Sequence, residues 1–270
     1  MTDTTKRAKL WLAVLLCACA ALTLRPARAA KGDDANTLWY DEPAEKWLEA
    51  VPIGNGRLGG MVFGGVSEAR VQLNEESLWS GQPLDCNPEG ALENLPEIRS
   101  LLFEGKNNQA LKLAKKYMLG DPPRVRSYQT LGDLTLDLNY SGDAKNYRRE
   151  LDLRTGVASV SYRIGDATFT RETFVSAPAD ALVMHMECDK PGRISTTLGL
   201  TRSRDASSRV TDEGEILLEG QVVDKPDSAR GPGGKHMKFA ARLRVRTDGG
   251  EVTADGKKIS IRDADSVTLI

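Results

Sequence analysis

From residue 38 onward, apolar positions recur at a spacing of two over short runs, the period of a half-buried strand. Such runs fall at 38–40, 49–53, 59–64 and 69–74, and in the last Val71 and Leu73 alternate with Gln72 and Asn74. Glycines at 54, 56, 59, 60, 64 and 65 separate them. The period then lengthens. Leu92, Leu95, Ile98, Leu101 and Leu102 fall at helical spacing, and Ala110, Leu113, Ala114, Tyr117 and Met118 repeat it after Gly105. Residues 89–119 therefore predict a helical hairpin, with Asn107 or Asn108 as N-cap of the second helix and Gly120 and Pro122-Pro123 as its stop.

Period two returns at Leu134, Leu136 and Leu138. Val160, Tyr162 and Ile164 lead through Gly165-Asp166 to Phe169 and Arg171, a predicted hairpin. Further strands are expected at 181–187, 193–200, 215–223, 237–247, 251–254, 258–261 and 266–270. Many strands at short intervals without intervening helices predict a mainly β chain, a large antiparallel β-sandwich carrying a short helical hairpin insertion. Residues 201–214 and 224–236 are rich in Ser, Asp, Arg, Gly and Pro and read as long loops, either functional or plain solvated connections. The segment 264–270 reads as a strand in progress with no turn or polar tail, so the expectation is that the natural protein continues.

The N-terminus follows a different rule. Lys6, Arg7 and Lys9 precede an almost wholly apolar run at 10–24, and Ala27-Arg28-Ala29 supplies a small-x-small triplet. That order defines a secretory signal peptide over 1–29, followed by a polar linker at 30–37 and the β domain at 38–270. The apolar run is short for a membrane span, which needs roughly 20 residues. Leu16-Cys17-Ala18-Cys19 loosely resembles a lipid-attachment box and leaves lipoprotein anchoring as an alternative. The destination expected is the periplasm or the cell exterior.

Charge narrows the partners. Removing 1–29 takes five basic residues and one acid from 37 and 38, leaving 32 against 37 and a net charge of −5. Such a chain has no basic excess for nucleic acid. Cys86 and Cys188 remain after signal removal; an oxidising compartment permits them to pair, and both also fit unpaired, small buried positions. No C-x-x-C or H-x-x-x-H pattern suggests a metal, and no cofactor is expected. Gly231-Pro232-Gly233-Gly234 lacks the Lys-Ser/Thr ending of a phosphate loop and reads as a turn.

The distinctive chemistry lies at 51–81. Ile53-Gly54-Asn55-Gly56-Arg57 places Asn55 and Arg57 on a tight glycine turn, and Asn74-Glu75-Glu76 ends a strand shortly before Trp79. An aromatic face with amide, guanidinium and carboxylate groups suits a sugar; the same residues also fit a plain turn with Trp79 in the core. Adjacent Glu75 and Glu76 project to opposite faces of a strand and so do not form a pair flanking one bond. His185 lies in a strand of alternating apolar residues and His236 follows a glycine-rich loop; neither has a partner identifiable from sequence.

PIGNGRLGGMVFGGV at 52–66 and QLNEESLWSG at 72–81 closely resemble the start of glycoside hydrolase family 95, whose members include α-L-fucosidases and some α-L-galactosidases. LWYDEPAEKW at 38–47, YQTLGDL at 128–134, RRELDL at 148–153 and FAARL at 239–243 continue the resemblance in order across nearly all of 38–270. It implies an N-terminal β-sandwich of an inverting enzyme that removes terminal α-L-fucosyl groups from glycans or plant polysaccharides. It also implies that catalysis belongs to a following (α/α)6 barrel, where a carboxylic acid protonates the leaving oxygen and asparagines with an aspartate activate water. None of that barrel's motifs occurs here, so the resemblance carries no catalytic residue onto this chain, which alone is expected to be inactive. The expected partners are that barrel and the fucosylated substrate, with Asn55, Arg57 and Trp79 as candidate substrate-binding residues at the pocket rim. A stand-alone carbohydrate-binding module and a purely structural scaffold are the competing readings.

Overall fold

Strand-forming alternation accounts for most of the chain in the computed structural model, which describes residues 35–270 apart from 139 and 141. The signal peptide and the first part of the predicted linker lie outside the described residues. Among the described residues, β1 spans Thr37–Tyr40, β2 Val51–Gly54, β3 Leu58–Val62 and β4 Glu68–Glu75. Helices α1 (Ala91–Phe103) and α2 (Asn107–Tyr117) follow. Then come β5 (Gly132–Asp137), β6 (Lys145–Asp152), β7 (Val157–Ile164), β8 (Ala167–Ser176), β9 (Ala181–Cys188) and β10 (Ile194–Thr201). The last five strands are β11 (Ala206–Val210), β12 (Ile216–Asp224), β13 (Gly234–Leu243), β14 (Val245–Asp255) and β15 (Lys258–Leu269).

One curled antiparallel sheet runs β1-β6-β7-β8-β9-β15-β10-β5-β4-β3-β2, with β14 paired along β15. The curl turns at β15. Its first half pairs with β10 (Leu198↔Ile259, Thr196↔Ile261), and its second half pairs with β9 (Met186↔Val267, Met184↔Leu269). A strand that changes partner in this way makes the corner of a sandwich. Asp263, with φ of 53°, sits at the turning point, and the register of β10 against β15 shifts there. Two bonds pin the corner: the Gly192 N–H donates to Asp265 Oδ1 at 2.6 Å, and the Asp263 N–H donates to Ser195 Oγ at 3.1 Å.

The curl brings β2 and β3 across β7, β8 and β9, and, beside a second cluster of Val160, Tyr162, Ile164, Ala167 and Phe169, inward side chains of both layers meet in the larger core. Val51, Ile53, Val71, Leu136, Met184, Leu198, Ile259 and Val267 are buried there, each aliphatic side chain contributing about 1.5–3 kcal/mol on transfer from water. A separate sheet, β11-β12-β13, packs on β10 through Ile216 and Leu218.

Several expectations need correction. Residues 206–210, read as loop, form β11 because Ala206, Ser208 and Val210 share one face and pair with β12. Residues 145–152, where charge hides the alternation, form β6. The two short runs at 258–261 and 266–270 are one strand bent at its middle. Strand β1 begins at Thr37, inside the predicted linker. Neither Asn107 nor Asn108 caps α2: the N-cap is Lys106, without a side-chain cap bond, and Asn107 is already helical. The helical hairpin itself is present. Its two helices pack on each other, with Ile98 and Ala110 buried and Leu92 and Phe103 exposed. Among the described residues no helix is long and apolar enough to cross a membrane.

Candidate functional site

The Asn-Gly-Arg turn joins β2 to β3. Gly56, at φ of 95°, takes the left-handed conformation that the tight turn needs and that glycine adopts without steric cost. Asn55 ties the turn from within: its Oδ1 accepts from the N–H groups of Arg57 (3.0 Å) and Leu58 (2.8 Å). Its Nδ2 donates across to the Ser176 carbonyl (3.3 Å) and to Asp180 Oδ1 (3.4 Å), in the turn between β8 and β9. Arg57 repeats the link, donating through Nη1 to Asp180 and lying 3.4 Å through Nε from Glu75 Oε1. Both side chains thus fasten one sandwich layer to the other at the rim. Below them lies a largely apolar cavity of about 350 Å³ lined by Leu58, Leu73, Leu182, Leu200 and Leu243.

Glu75 is the hinge of the cluster. The Ser77 hydroxyl donates to its Oε2 at 2.7 Å and the Ser77 N–H at 3.0 Å. These bonds and Arg57 hold the carboxyl below the usual carboxylate range, the Ser77 hydroxyl contributing most, against the opposing effect of partial burial. Its backbone carbonyl accepts from the Tyr128 hydroxyl at 2.9 Å. Tyr128 in turn meets Trp79 edge to face, with ring centroids 5.4 Å apart. Trp79 is 42% exposed, so it is not the core residue that the alternative sequence reading made it. Its Nε1–H donates to the Glu76 carbonyl at 3.2 Å.

Asn55, Arg57 and Trp79 therefore belong to one connected rim, joined through the 75–79 turn. They differ in availability. The Asn55 and Arg57 polar groups are engaged in holding the fold together, whereas Trp79 opens onto a separate hollow of about 630 Å³ between residues 79–86, 120–126 and 230–237. Sequence reading missed Asp180 and Tyr128. Tyr128 lay inside the YQTLGDL segment, but Asp180 sits in an Ala-Pro-Ala-Asp turn with no signal of its own.

Both histidines have neighbours that the sequence did not reveal. His185 Nδ1 lies 2.9 Å from Thr268 Oγ1 on the adjacent strand. The His236 side chain is wholly buried, with Nε2 3.7 Å from Asp224 Oδ2, and Arg126 Nη1 approaches the same oxygen at 3.7 Å. Cys86 and Cys188 are both free thiols, and burial pushes the Cys188 thiol up.

The profile of the family described as glycosyl hydrolase family 65, N-terminal domain, matches residues 38–270. The chain belongs to this family. Its glycosyl hydrolase N-terminal domain covers the whole described sandwich, helical hairpin included. Among relatives, Alpha-L-fucosidase 2 of Arabidopsis thaliana is 35% identical over 250 residues, 86% of this chain and 29% of its own length. A Probable alpha-fucosidase A of Aspergillus niger is 35% identical over 162 residues (56% of this chain, 20% of its own length). The protein of that name in Aspergillus oryzae is 30% identical over 158 residues (55% of this chain, 21% of its own length). The chain spans less than a third of each of these relatives. Their fucosidase names agree with the resemblance read from the motifs.

Proposed function

We propose that this chain is the N-terminal β-sandwich of an exported α-L-fucosidase of family 95 type, and that the longer enzyme hydrolyses terminal α-L-fucosyl linkages with inversion. The supporting observation is the 35% identity to Alpha-L-fucosidase 2 over 250 residues that make up only 29% of that relative. In this reading an acid and a base on opposite faces of the sugar lie in a following helical barrel. The present domain packs on that barrel and contributes Asn55, Arg57 and Trp79 to the rim of its pocket.

The test uses the longer reading frame. Its product should release fucose from an α-1,2-fucosylated oligosaccharide with inverted anomeric configuration, while residues 30–270 alone should release none. Release of fucose by residues 30–270 alone would overturn the division of labour. In the longer protein Trp79→Ala should lower turnover at unchanged melting temperature, and Arg57→Ala should lower it with a stability loss of no more than about 1 kcal/mol; unchanged turnover in both would remove the rim role and leave a scaffold.

Half-exposed Trp79 beside a hollow supports a second reading, in which the domain itself holds carbohydrate. Titration of the chain with fucosylated oligosaccharides tests it.

A further inference from the structure

The hollow beside Trp79 gathers positive charge. Its lining includes three arginines, Arg124, Arg126 and Arg230, and no carboxylate. The three are not equivalent. Arg126 is a strut: its side chain is buried, its Nη2 donates to the carbonyls of Lys225 (3.2 Å), Gly231 (2.6 Å) and Pro232 (2.9 Å), and Asp224 balances its charge from behind. It thereby locks the 225–232 loop against the 124–126 segment. Arg230 keeps only a loose ion pair, at 4.0 Å from Asp227. Arg124 is exposed; its backbone N–H donates to the Ala229 carbonyl at 3.0 Å. Among the described residues its guanidinium has no hydrogen-bond or ion-pair partner.

The walls are stiff. Pro83, Pro122, Pro123 and Pro232 line the hollow, and each fixes its own φ. At Gly231 an added Cβ would stand 3.1 Å from both Leu84 and Pro122, so its loop is already close against the other two segments. A preformed concavity loses little ordering entropy on binding. Trp79 stands at its edge, fixed by Tyr128 and by the Glu76 carbonyl.

We infer that this hollow is a binding site for an acidic sugar, a uronic acid residue within an oligosaccharide, with Trp79 against the ring's C–H face and Arg124 and Arg230 on the carboxylate. A planar guanidinium takes a carboxylate through two parallel bonds, and an indole offers a large rigid apolar face. A neutral sugar would leave Arg124 without an anion; a free inorganic anion would leave Trp79 without a ring. The site goes beyond the fucosidase reading: it shares Trp79 with the proposed rim but takes its charge from Arg124 and Arg230, which that reading does not use.

Isothermal titration of the chain with trigalacturonate, with its methyl-esterified form and with inorganic sulfate tests the inference. The acid form should bind, with tryptophan emission changing on saturation in the parent and not in Trp79→Phe; the ester should bind at least tenfold more weakly. Arg124→Gln, an exposed change that keeps the backbone bond to Ala229, should weaken the acid form about tenfold, and Arg230→Gln should do the same with an unchanged melting temperature. Absence of binding, equal affinity for acid and ester, or indifference to both variants would overturn the site. Sulfate binding as tightly as trigalacturonate at the same residues would overturn its assignment to a sugar. None of these readouts depends on fucose release, so this inference and the fucosidase reading fail separately.

Discussion

The guanidinium of Arg57 is hydrogen-bonded to the carboxylate of Asp180, 123 residues further along the chain. Through this pair the β2–β3 turn of one layer is fastened to the β8–β9 turn of the other. Asn55 makes the same crossing from within the turn and also satisfies two of the turn's own N–H groups.

The two fasteners should differ in strength. Arg57 and Asp180 are both well exposed, so Arg57→Ala should cost no more than about 1 kcal/mol and its effect should fade in high salt. Asn55→Ala strands backbone donors at a tight turn and should cost about 1–2 kcal/mol, insensitive to salt. Urea denaturation at two ionic strengths separates them; a larger, salt-independent loss for Arg57→Ala would contradict this order.

The turn after β3 leaves no room for a side chain. An added Cβ on Gly65 would lie 1.8 Å from the Glu68 carbonyl oxygen, and one on Gly64 would lie 2.6 Å from both the Tyr147 hydroxyl and Arg149 Cδ. Gly65→Ala must therefore move backbone, and about 3 kcal/mol or more of destabilisation is expected. A thermal melt within a few degrees of the parent would show that the turn opens freely.

Arg149 is 1% exposed, donates to the Glu49 carbonyl at 2.7 Å, and lies 4.3 Å from the Tyr40 ring centroid. Arg149→Ala removes this anchor of the 40–49 segment and leaves both a cavity and a stranded carbonyl, at an expected cost of about 3–5 kcal/mol. Arg149→Met, which keeps most of the volume, should recover part of that loss. Equal unfolding midpoints for the two variants would mean that packing contributes nothing there.

Acid stability should carry two opposed contributions. The Glu75 carboxyl lies below its ordinary range, so the unfolded chain binds its proton more readily; that stabilisation is complete above the unfolded value of about 4.3 and is lost as pH falls through the folded value. Asp133 is pushed up by burial, with Arg70 opposing, so its contribution runs the other way, lost as pH rises from about 3.9 through the folded value. Glu75→Gln should flatten the rise of stability with pH across the acid limb, and Asp133→Asn should steepen it. Melting temperatures measured from pH 3 to 6 distinguish the two signs.

The sequence by itself determined the elements wherever side chains alternate cleanly. Leu134, Leu136 and Leu138 announce β5, and Val160, Tyr162 and Ile164 announce β7, because a half-buried strand must send every second residue inward. It also located the Asn-Gly-Arg turn and Trp79, since glycine spacing and an aromatic among polar groups are local signals. Only the tertiary structure decided what those residues do. Asp180, Ser176 and Tyr128 reach the rim from distant segments, and no local pattern records a contact across 123 residues. The same holds for the bend of β15 between β9 and β10, and for three arginines from two separate loops around one hollow. Periodicity follows from which face of an element is buried; a site follows from which elements the burial brings together.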